Sequence, residues 1–537
     1  MSNFLDEATD ELKHLSQGKV LEWLLGPDIF HTKVETLTAQ DGETVLVVRG
    51  QSQDSRRAPF LDALNQLKSL PKSPQAVMLY GLGSPALVKA LLKKTKQIYA
   101  LEPSPGVARA FFGALKLGNE IKNKSFQLLC PFQLSDKLPI ADSNIPLISH
   151  KPSLRRNPWI FEALKARLLE APRAMPKDFA DLSLLIVPPL SGGSLSLGGF
   201  LHKAAEGLKL RSRLIEWPES LIELERSLKR GPSPENQSSS LEPKGLERLF
   251  LQALEQIAKE ITEFSPDLFL AIAQAPLDPP NLVSLRDRFP KLPFAFWFVE
   301  DLKIFTYARN LSPLYDCFFH IQGPFIEKEL QNLGVRKAHY LPPAADPDFF
   351  RPQTTPEGFR SQLSFMGAGY PNRRVIFSKL IEDYWKKSQK KTQDFKIYGS
   401  GWSLEDPLIG PHLFQGGRRV STLETASIYS GSLISLNIHS GPGPSYNPDS
   451  YFVNPRTFEI AASGGFQIID QRPLLPGLFE SGEMAVSQEP ESLPEQIEHY
   501  LKNPDEAYAM GQRARERVIS SHTFTHRLKS VLKLMFT

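Results

Sequence analysis

The chain has 537 residues, 41% hydrophobic, 10% aromatic and 23% charged, with a formal net charge of +4. That length excludes one ordinary core, and the composition excludes a disordered or fibrous chain. The small charge carries no Lys/Arg stripe with interleaved aromatics, which excludes a nucleic-acid binder, and two distant cysteines, Cys130 and Cys317, exclude a disulfide framework or zinc spacing.

The opening stretch, MSNFLDEATDELKHL, is acidic and amphipathic and lacks the basic start and apolar core of a signal peptide. No apolar run reaches the ~18 residues of a membrane span. A reducing, cytoplasmic setting is therefore expected. The first clear unit is a strand at 76–80, the turn Gly81-Leu82-Gly83, a helix-period stretch, and a second strand at 97–101 ending at Glu102. Strand, glycine turn, helix, strand and acid form the opening of a nucleotide-binding α/β fold. Near 181 the pattern restarts: a buried strand, a loop with Gly192, Gly193, Gly198 and Gly199, then a helix. Residues 231–243, GPSPENQSSSLEP, read as a flexible surface loop. Apolar residues at 246, 249, 250, 253, 254, 257, 258, 261 and 264 have helix spacing. Strands are expected at 267–273, 293–299 and 316–322, the second ending in Glu300-Asp301. This alternation predicts mainly parallel sheets with right-handed crossovers.

YLPPAADPDFFRP, 340–352, reads as a connection between domains. A third series follows, with strands at 363–367, 394–398, 433–438 and 466–470, and helices at 374–388, 421–430, 455–463 and 492–502. Two further helices, broken near His522-Thr523, end the chain.

Three stretches could carry chemistry. In NPRTFEIAASGGFQIID, 454–470, Asn454 suits an N-cap, Pro455 the first helical position and Gly464-Gly465 a helix stop. Arg456 and Thr457 then lie in the first turn, where the helix dipole favours an anion, and Glu459 follows on the same side, where a carboxylate can accept from two sugar hydroxyls. The plainer alternative is an intrahelical Arg456–Glu459 pair. In LSFMGAGYPNRR, 363–374, Gly367 and Gly369 would let a backbone approach a phosphate that Arg373 and Arg374 neutralise. A strand-to-helix turn with solvated arginines is the alternative. The glycine loop around Gly192 and Gly193 follows a strand's carboxyl end, where open α/β sheets bind ligands, or is merely a flexible turn. His439, alone at the end of its strand, reads as structural.

Taken together, these pieces resemble the CgeB-like glycosyltransferases, a branch of the GT-B superfamily. The marks are PDLFLAIA, LPFAFWFVED, YDCFFHIQGPFIEKELQNLGV, YLPPAADPDFFRP, LSFMGAGYPNRR, NPRTFEIAASGGFQIID and the closing LPEQIEHYLKNPDEAYAMGQRARERVISSHTFTHRL, all in order between about 181 and 525. The resemblance implies two facing Rossmann-like domains, an acceptor side at 179–345 and a nucleotide-sugar side at 346–515, with a final helical segment, 516–537, returning to the acceptor side. It implies Glu459 on ribose, and Arg456, Thr457 and the Asn454-capped helix near the diphosphate. Gly367, Gly369 and Arg373 or Arg374 would stand opposite, and Gly192 and Gly193 would face donor phosphate or acceptor. Glu300 and Asp301 are candidate bases, or caps of the following helix. No metal is required, the donor being a nucleotide-diphospho sugar; the family relation favours retention at the anomeric carbon, and the acceptor would be a protein or glycan, flagellin or a surface polysaccharide among them. The chain departs from the family's two glutamates eight positions apart, because position 451 is Tyr451.

Residues 1–178 resemble the Rossmann-like part of Maf-type flagellin-glycosylation proteins, and also a degenerate methyltransferase core in which Gly81, Gly83 and Glu102 would hold a ligand. The expected fold class is thus α/β, a GT-B pair preceded by a third Rossmann-like domain. Two other functions stay open: a non-catalytic nucleotide-binding scaffold and a methyltransferase–glycosyltransferase fusion.

Overall fold

The computed structural model describes residues 18–25, 28, 32–115, 117, 120, 123, 125–135, 138, 145–168, 182–230, 242–418, 420–441, 446 and 451–536. The amphipathic opening stretch, nearly all of the 231–243 loop and most of the loop before Tyr451 lie outside the described residues.

The first region begins with a small antiparallel sheet that the sequence reading does not foresee, β1 (Val34–Thr38), β2 (Thr44–Val48) and β3 (Gln51–Ser52). A parallel sheet follows, made of β4 (Ala76–Tyr80), β5 (Gln97–Leu101), β6 (Phe126–Leu129) and β7 (Leu147–Ser149), in the order β6-β5-β4-β7. Its central strands are continuous apolar runs, buried on both faces, which is the mark of a parallel sheet covered by helices.

The second region contains β8 (Ser183–Val187), β9 (Arg211–Leu214), β10 (Leu268–Ile272), β11 (Phe294–Phe298), β12 (Cys317–His320) and β13 (Ala338–Tyr340), ordered β13-β12-β11-β10-β8-β9 and parallel throughout. The third contains β14 (Ser361–Met366), β15 (Phe395–Tyr398), β16 (Ser432–Asn437), β17 (Gln467–Asp470) and β18 (Ala485–Ser487), ordered β15-β14-β16-β17-β18, again all parallel. The class is α/β, with three parallel sheets of Rossmann-like winding in succession, as expected.

Each sheet reverses its winding once, between β4 and β7, between β8 and β10, and between β14 and β16. Such switch points open a crevice at the strands' carboxyl ends, where α/β proteins bind ligands. All three glycine turns of the sequence follow the first strand of such a pair.

The helix Pro504–Ser521 stays on the third domain, where Gly511 packs directly on Gly464 and Gly465: a Cβ at Gly511 would lie 2.8 Å from the Gly464 carbonyl oxygen. Helix Phe524–Phe536 then crosses to the second domain, burying Phe524, Leu528, Val531 and Leu532 with Leu197 and Leu201. The Ala345 N–H donates to the His522 carbonyl at 3.1 Å, and Arg527 Nε donates to the Pro342 carbonyl at 2.7 Å. These bonds tie the outgoing and returning chains together, so the crossing falls at His522-Thr523 rather than at 516.

Candidate active site

At the third switch point β14 ends in Met366 and runs into Gly367-Ala368-Gly369. The glycine N–H groups are already spent: Gly367 donates to the Tyr398 carbonyl at 2.9 Å and Gly369 to that of Ser400 at 3.0 Å. The glycines serve close packing instead. A Cβ on Gly369 would lie 2.5 Å from the Gly401 oxygen, and one on Gly367 would lie 2.5 Å from Nη1 of Arg456 and 3.2 Å from Nη1 of Arg373. Gly367 makes room for two guanidinium groups, and Gly369 for the Gly401 backbone.

Those two arginines meet across the crevice. Arg373, only 4% exposed, donates from Nε to the Ile438 carbonyl at 3.0 Å and from Nη1 to that of Ala368 at 2.9 Å. Arg456 donates from Nη1 to the Met366 carbonyl and from Nη2 to that of Ile438 at 3.1 Å, so it spans the ends of β14 and β16. Both lie over the Phe365 ring, at 5.2 and 5.1 Å from its centroid. Burial and the charge of Arg456 both act against the cation on Arg373 and lower its pKa. Neither forms an ion pair among the described residues, so two adjacent cations are held by neutral carbonyls, with N–H groups to spare. Arg374 differs: its Nε and Nη2 clamp the Gly369 and Gly401 carbonyls at 2.7 and 2.6 Å, which fixes the turn.

Helix Pro455–Ala462 brings Arg456 to this place. Asn454 caps it, its Oδ1 accepting from the Thr457 N–H at 3.1 Å. The Thr457 side chain is buried and turned inward, with its hydroxyl accepting from Asn437 Nδ2 at 2.9 Å. Asn437 also donates to Gln467 Oε1 at 2.9 Å, and Asn454 Nδ2 donates to Asn437 Oδ1 at 2.8 Å. Asn454 and Thr457 thus hold the helix, Asn454 as the expected cap. His439 belongs to the same frame. Its Nε2 accepts the Asn454 backbone N–H at 2.9 Å, so the ring proton resides on Nδ1, which donates to Asp470 at 2.6 Å. Burial, with Arg472 nearby, keeps His439 neutral with its pKa down to about 3. Burial alone would raise Asp470, but His439 and Arg472 hold it below the usual carboxylate range.

Glu459 makes no ion pair with Arg456 within 4 Å, which removes the plain intrahelical reading. Burial pushes its carboxyl up to about 7, against the pull of Arg456 and the neighbouring Tyr429. The Tyr429 hydroxyl lies beside it, buried and without a well-formed hydrogen bond. Tyr451, at the position of the family's second acid, stacks on Phe325 of the second domain, with centroids 3.8 Å apart and ring planes 19° apart. Leu474 reaches across as well, onto Gly323.

At the second switch point the Gly192–Gly193 turn borders Gln274, which is bonded to an acid. Glu300, just past β11, accepts from Tyr307 Oη at 2.8 Å and from Gln274 Nε2, and burial raises its pKa. Gln274 Oε1 lies 3.2 Å from the place of a Gly192 Cβ, whereas nothing lies within 4 Å of one on Gly193. Asp301 points elsewhere. Buried, it accepts from the Lys303 N–H at 2.9 Å and from Gln322 Nε2 at 3.0 Å, bonds that hold the turn after β11, in line with the capping alternative. Gln274 and Tyr307 had no sequence signal; they belong to separate crossovers.

The first switch point is filled. A Cβ on Gly83 would lie 2.5 Å from Nε2 of His150, and one on Gly81 2.2 Å from Cβ of Ser153. His150 follows β7 and caps helix Lys151–Arg156; its Nε2 donates to the Gln53 carbonyl at 2.9 Å and its Nδ1 accepts from Ser153 Oγ at 2.8 Å. Glu102 is fully buried and accepts the Leu82 and Ser104 N–H groups at 2.8 and 3.0 Å. In this structure the protein's own histidine and serine occupy the space beside Gly81 and Gly83, and Glu102 is engaged by backbone N–H groups.

Residues 373–533 match a family model described as glycosyl transferase-like. Over 273 residues, 49% of this chain and 81% of the relative, the chain is 22% identical to the spore protein CgeB of Bacillus subtilis strain 168. Among solved structures, sucrose-phosphate synthase from Thermosynechococcus elongatus superposes with a TM-score of 0.46 at 14% identity, covering 66% of this chain and 99% of that one. Anabaena HepE, solved in complex with UDP and glucose, superposes with a TM-score of 0.43 at 10% identity over 66% of this chain and 99% of its own. Residues 373–533, which hold Arg373, Arg456 and Glu459, are thus a glycosyltransferase domain, and the chain is an enzyme of that class.

Proposed function

We propose that the protein moves a sugar from a nucleotide-diphospho donor to a hydroxyl of a protein or glycan acceptor, in the cytoplasm, without a metal ion and with retention at the anomeric carbon. The observation that carries this reading is the meeting of Arg373 and Arg456 at the third switch point with only backbone carbonyls as partners. Two unpaired, part-buried cations are costly unless an anion joins them. A diphosphate supplies that anion, and the amino terminus of helix Pro455–Ala462 adds its dipole. Glu459 receives the ribose hydroxyls, for which it must be ionised.

As the bond between the anomeric carbon and the diphosphate oxygen breaks, the diphosphate keeps the electron pair, and the arginines stabilise the growing charge. The acceptor oxygen bonds the anomeric carbon on the face from which the diphosphate departs, which retains the configuration, and Glu300 accepts its proton. The two domains, touching through Phe325 and Tyr451, shield the reaction from water.

A thermal-shift panel of UDP, GDP, CDP, TDP and S-adenosylmethionine tests the reading. One nucleoside diphosphate raises Tm, and Glu459→Ala abolishes that rise. Indifference to all four nucleotides sinks the proposal. Release of the stabilising nucleotide from its sugar donor separates an enzyme from a scaffold, and the NMR signal of the product's anomeric proton reads the stereochemistry.

A further inference from the structure

The chain leaves β10 at Ile272, and two residues later Gln274 adopts φ +64°. That left-handed conformation costs a residue with a side chain about 1 kcal/mol or more, and glycine would take it freely. Gln274 is nevertheless exposed at the mouth of the crevice, so packing does not explain its identity. Its hydrogen bonds do. Its backbone N–H donates to Tyr307 Oη at 2.8 Å, and that hydroxyl donates to Glu300 Oε2 at 2.8 Å. Its side-chain Nε2 donates to Glu300 Oε1. Each carboxylate oxygen therefore has its own donor, and the turned backbone of Gln274 supports both.

We propose that Gln274 and Tyr307 are the positioning residues of the acceptor site, Gln274 standing between the Gly192–Gly193 turn and Glu300 and holding the carboxylate where it meets a neutral hydroxyl rather than a donor phosphate. The charges at this switch point agree. Gln274, which binds the acid, lies next to the turn, and a cation by the turn, Lys229, donates to Ser191 Oγ at 2.8 Å and pairs with Glu225 at 2.8 Å. At the third switch point the signs are reversed, with two arginines and no carboxylate paired to them. A diphosphate is repelled by the one crevice and attracted by the other. The inference rests on the transfer reading above and assigns Glu300 two supports that the reading does not need.

The test uses the full chain and three variants, Gln274→Gly, Tyr307→Phe and Glu300→Gln, with the nucleotide sugar found by the thermal-shift panel and nucleotide release as the rate. Gln274→Gly is the telling one, because glycine relieves the backbone and leaves Tm equal or higher. It is expected to lower kcat about 10- to 100-fold through misplacement of the carboxylate. Loss of a donor to the charged form raises the pKa of Glu300, so the acid limb of the pH–rate profile moves up by roughly 0.5–1 pH unit in Gln274→Gly and Tyr307→Phe. All three variants keep the nucleoside-diphosphate Tm shift. Wild-type kcat and an unmoved acid limb overturn the positioning role while leaving the transfer reading intact. A lost nucleotide shift in Gln274→Gly places it on the donor side and overturns the proposal as well. If wild type binds nucleotide but releases none from any donor, or binds none at all, the transfer reading falls and this role with it.

Discussion

Two of the glycine turns share one grammar and have opposite outcomes. Gly81-Leu82-Gly83 and Gly367-Ala368-Gly369 both follow a buried central strand, both open a helix and both border a switch point. At the first, the element across the crevice supplies His150 and Ser153, which fill the space and satisfy each other. At the third, the opposite side supplies Arg456, whose charge meets that of Arg373 and forms no ion pair among the described residues. The lesson is that a glycine turn marks where a ligand could sit, while the residue arriving from across the switch point decides whether it does. A hydrogen-bonded plug occupies the first crevice; under the transfer reading, the paired cations make the third an anion site.

This contrast can be broken in several places. The largest effect is expected from Arg456→Ala, which should reduce kcat/KM for the nucleotide sugar by about 10²–10³-fold and remove the nucleotide Tm shift, as loss of one preorganised charge on a leaving group does. Nucleotide binding equal to wild type would make the third crevice no different from the first. His150→Ala should cost about 2–4 kcal/mol in urea unfolding, since it leaves a cavity and unpaired buried groups, without altering nucleotide binding. If instead the variant is as stable as wild type, or if S-adenosylmethionine stabilises the wild-type chain, the first crevice is a ligand site after all.

The pH dependence sharpens the picture at Glu459. Its folded pKa is raised from 4.5 to about 7 by burial. Its contribution to stability is therefore full below about pH 4.5 and lost as pH rises through about 7. Without ligand, wild type should lose Tm across that window relative to Glu459→Gln. The nucleotide shift should grow over the same window in wild type, because ribose needs the ionised acid, and the glutamine variant cancels the phosphate's own titration. A nucleotide shift with the same pH profile in both proteins would remove Glu459 from the site. The smallest effect belongs to the Phe325–Tyr451 stack. An aromatic pair contributes about 0.5–1.5 kcal/mol, so Phe325→Ala and Tyr451→Ala should each raise donor KM by roughly 2- to 10-fold, with a double mutant no worse than either. Additive effects would mean that the two rings do not act as a unit.

Much of the frame was legible. Continuous apolar runs ending in glycine located β4, β8 and β14, and Asn454-Pro455 located the start of the helix that carries Arg456. The small sheet of β1 to β3 was not, because its first strand is mostly exposed and its pattern is too weak to read. The site was legible in part. Arg373, Arg456, Glu459 and Glu300 were all named from sequence, but with them came Asp301, Thr457, Arg374 and Glu102, which have the same local appearance and turn inward or hold turns. Gln274 and Tyr307 left no trace, since neither stands in a motif and each reaches Glu300 only through the order of the sheet.

The sequence by itself determined three strand–glycine–helix units, their parallel sheets and the capped helix of the third, because hydrophobic period, caps and turn residues act over a few neighbouring positions. Only the tertiary structure decided which crevice is plugged, which is basic and which is acidic. Those signs depend on His150, Arg456 and Glu300 arriving from strands and crossovers far along the chain, and sheet order, not local spacing, brings them to their glycines.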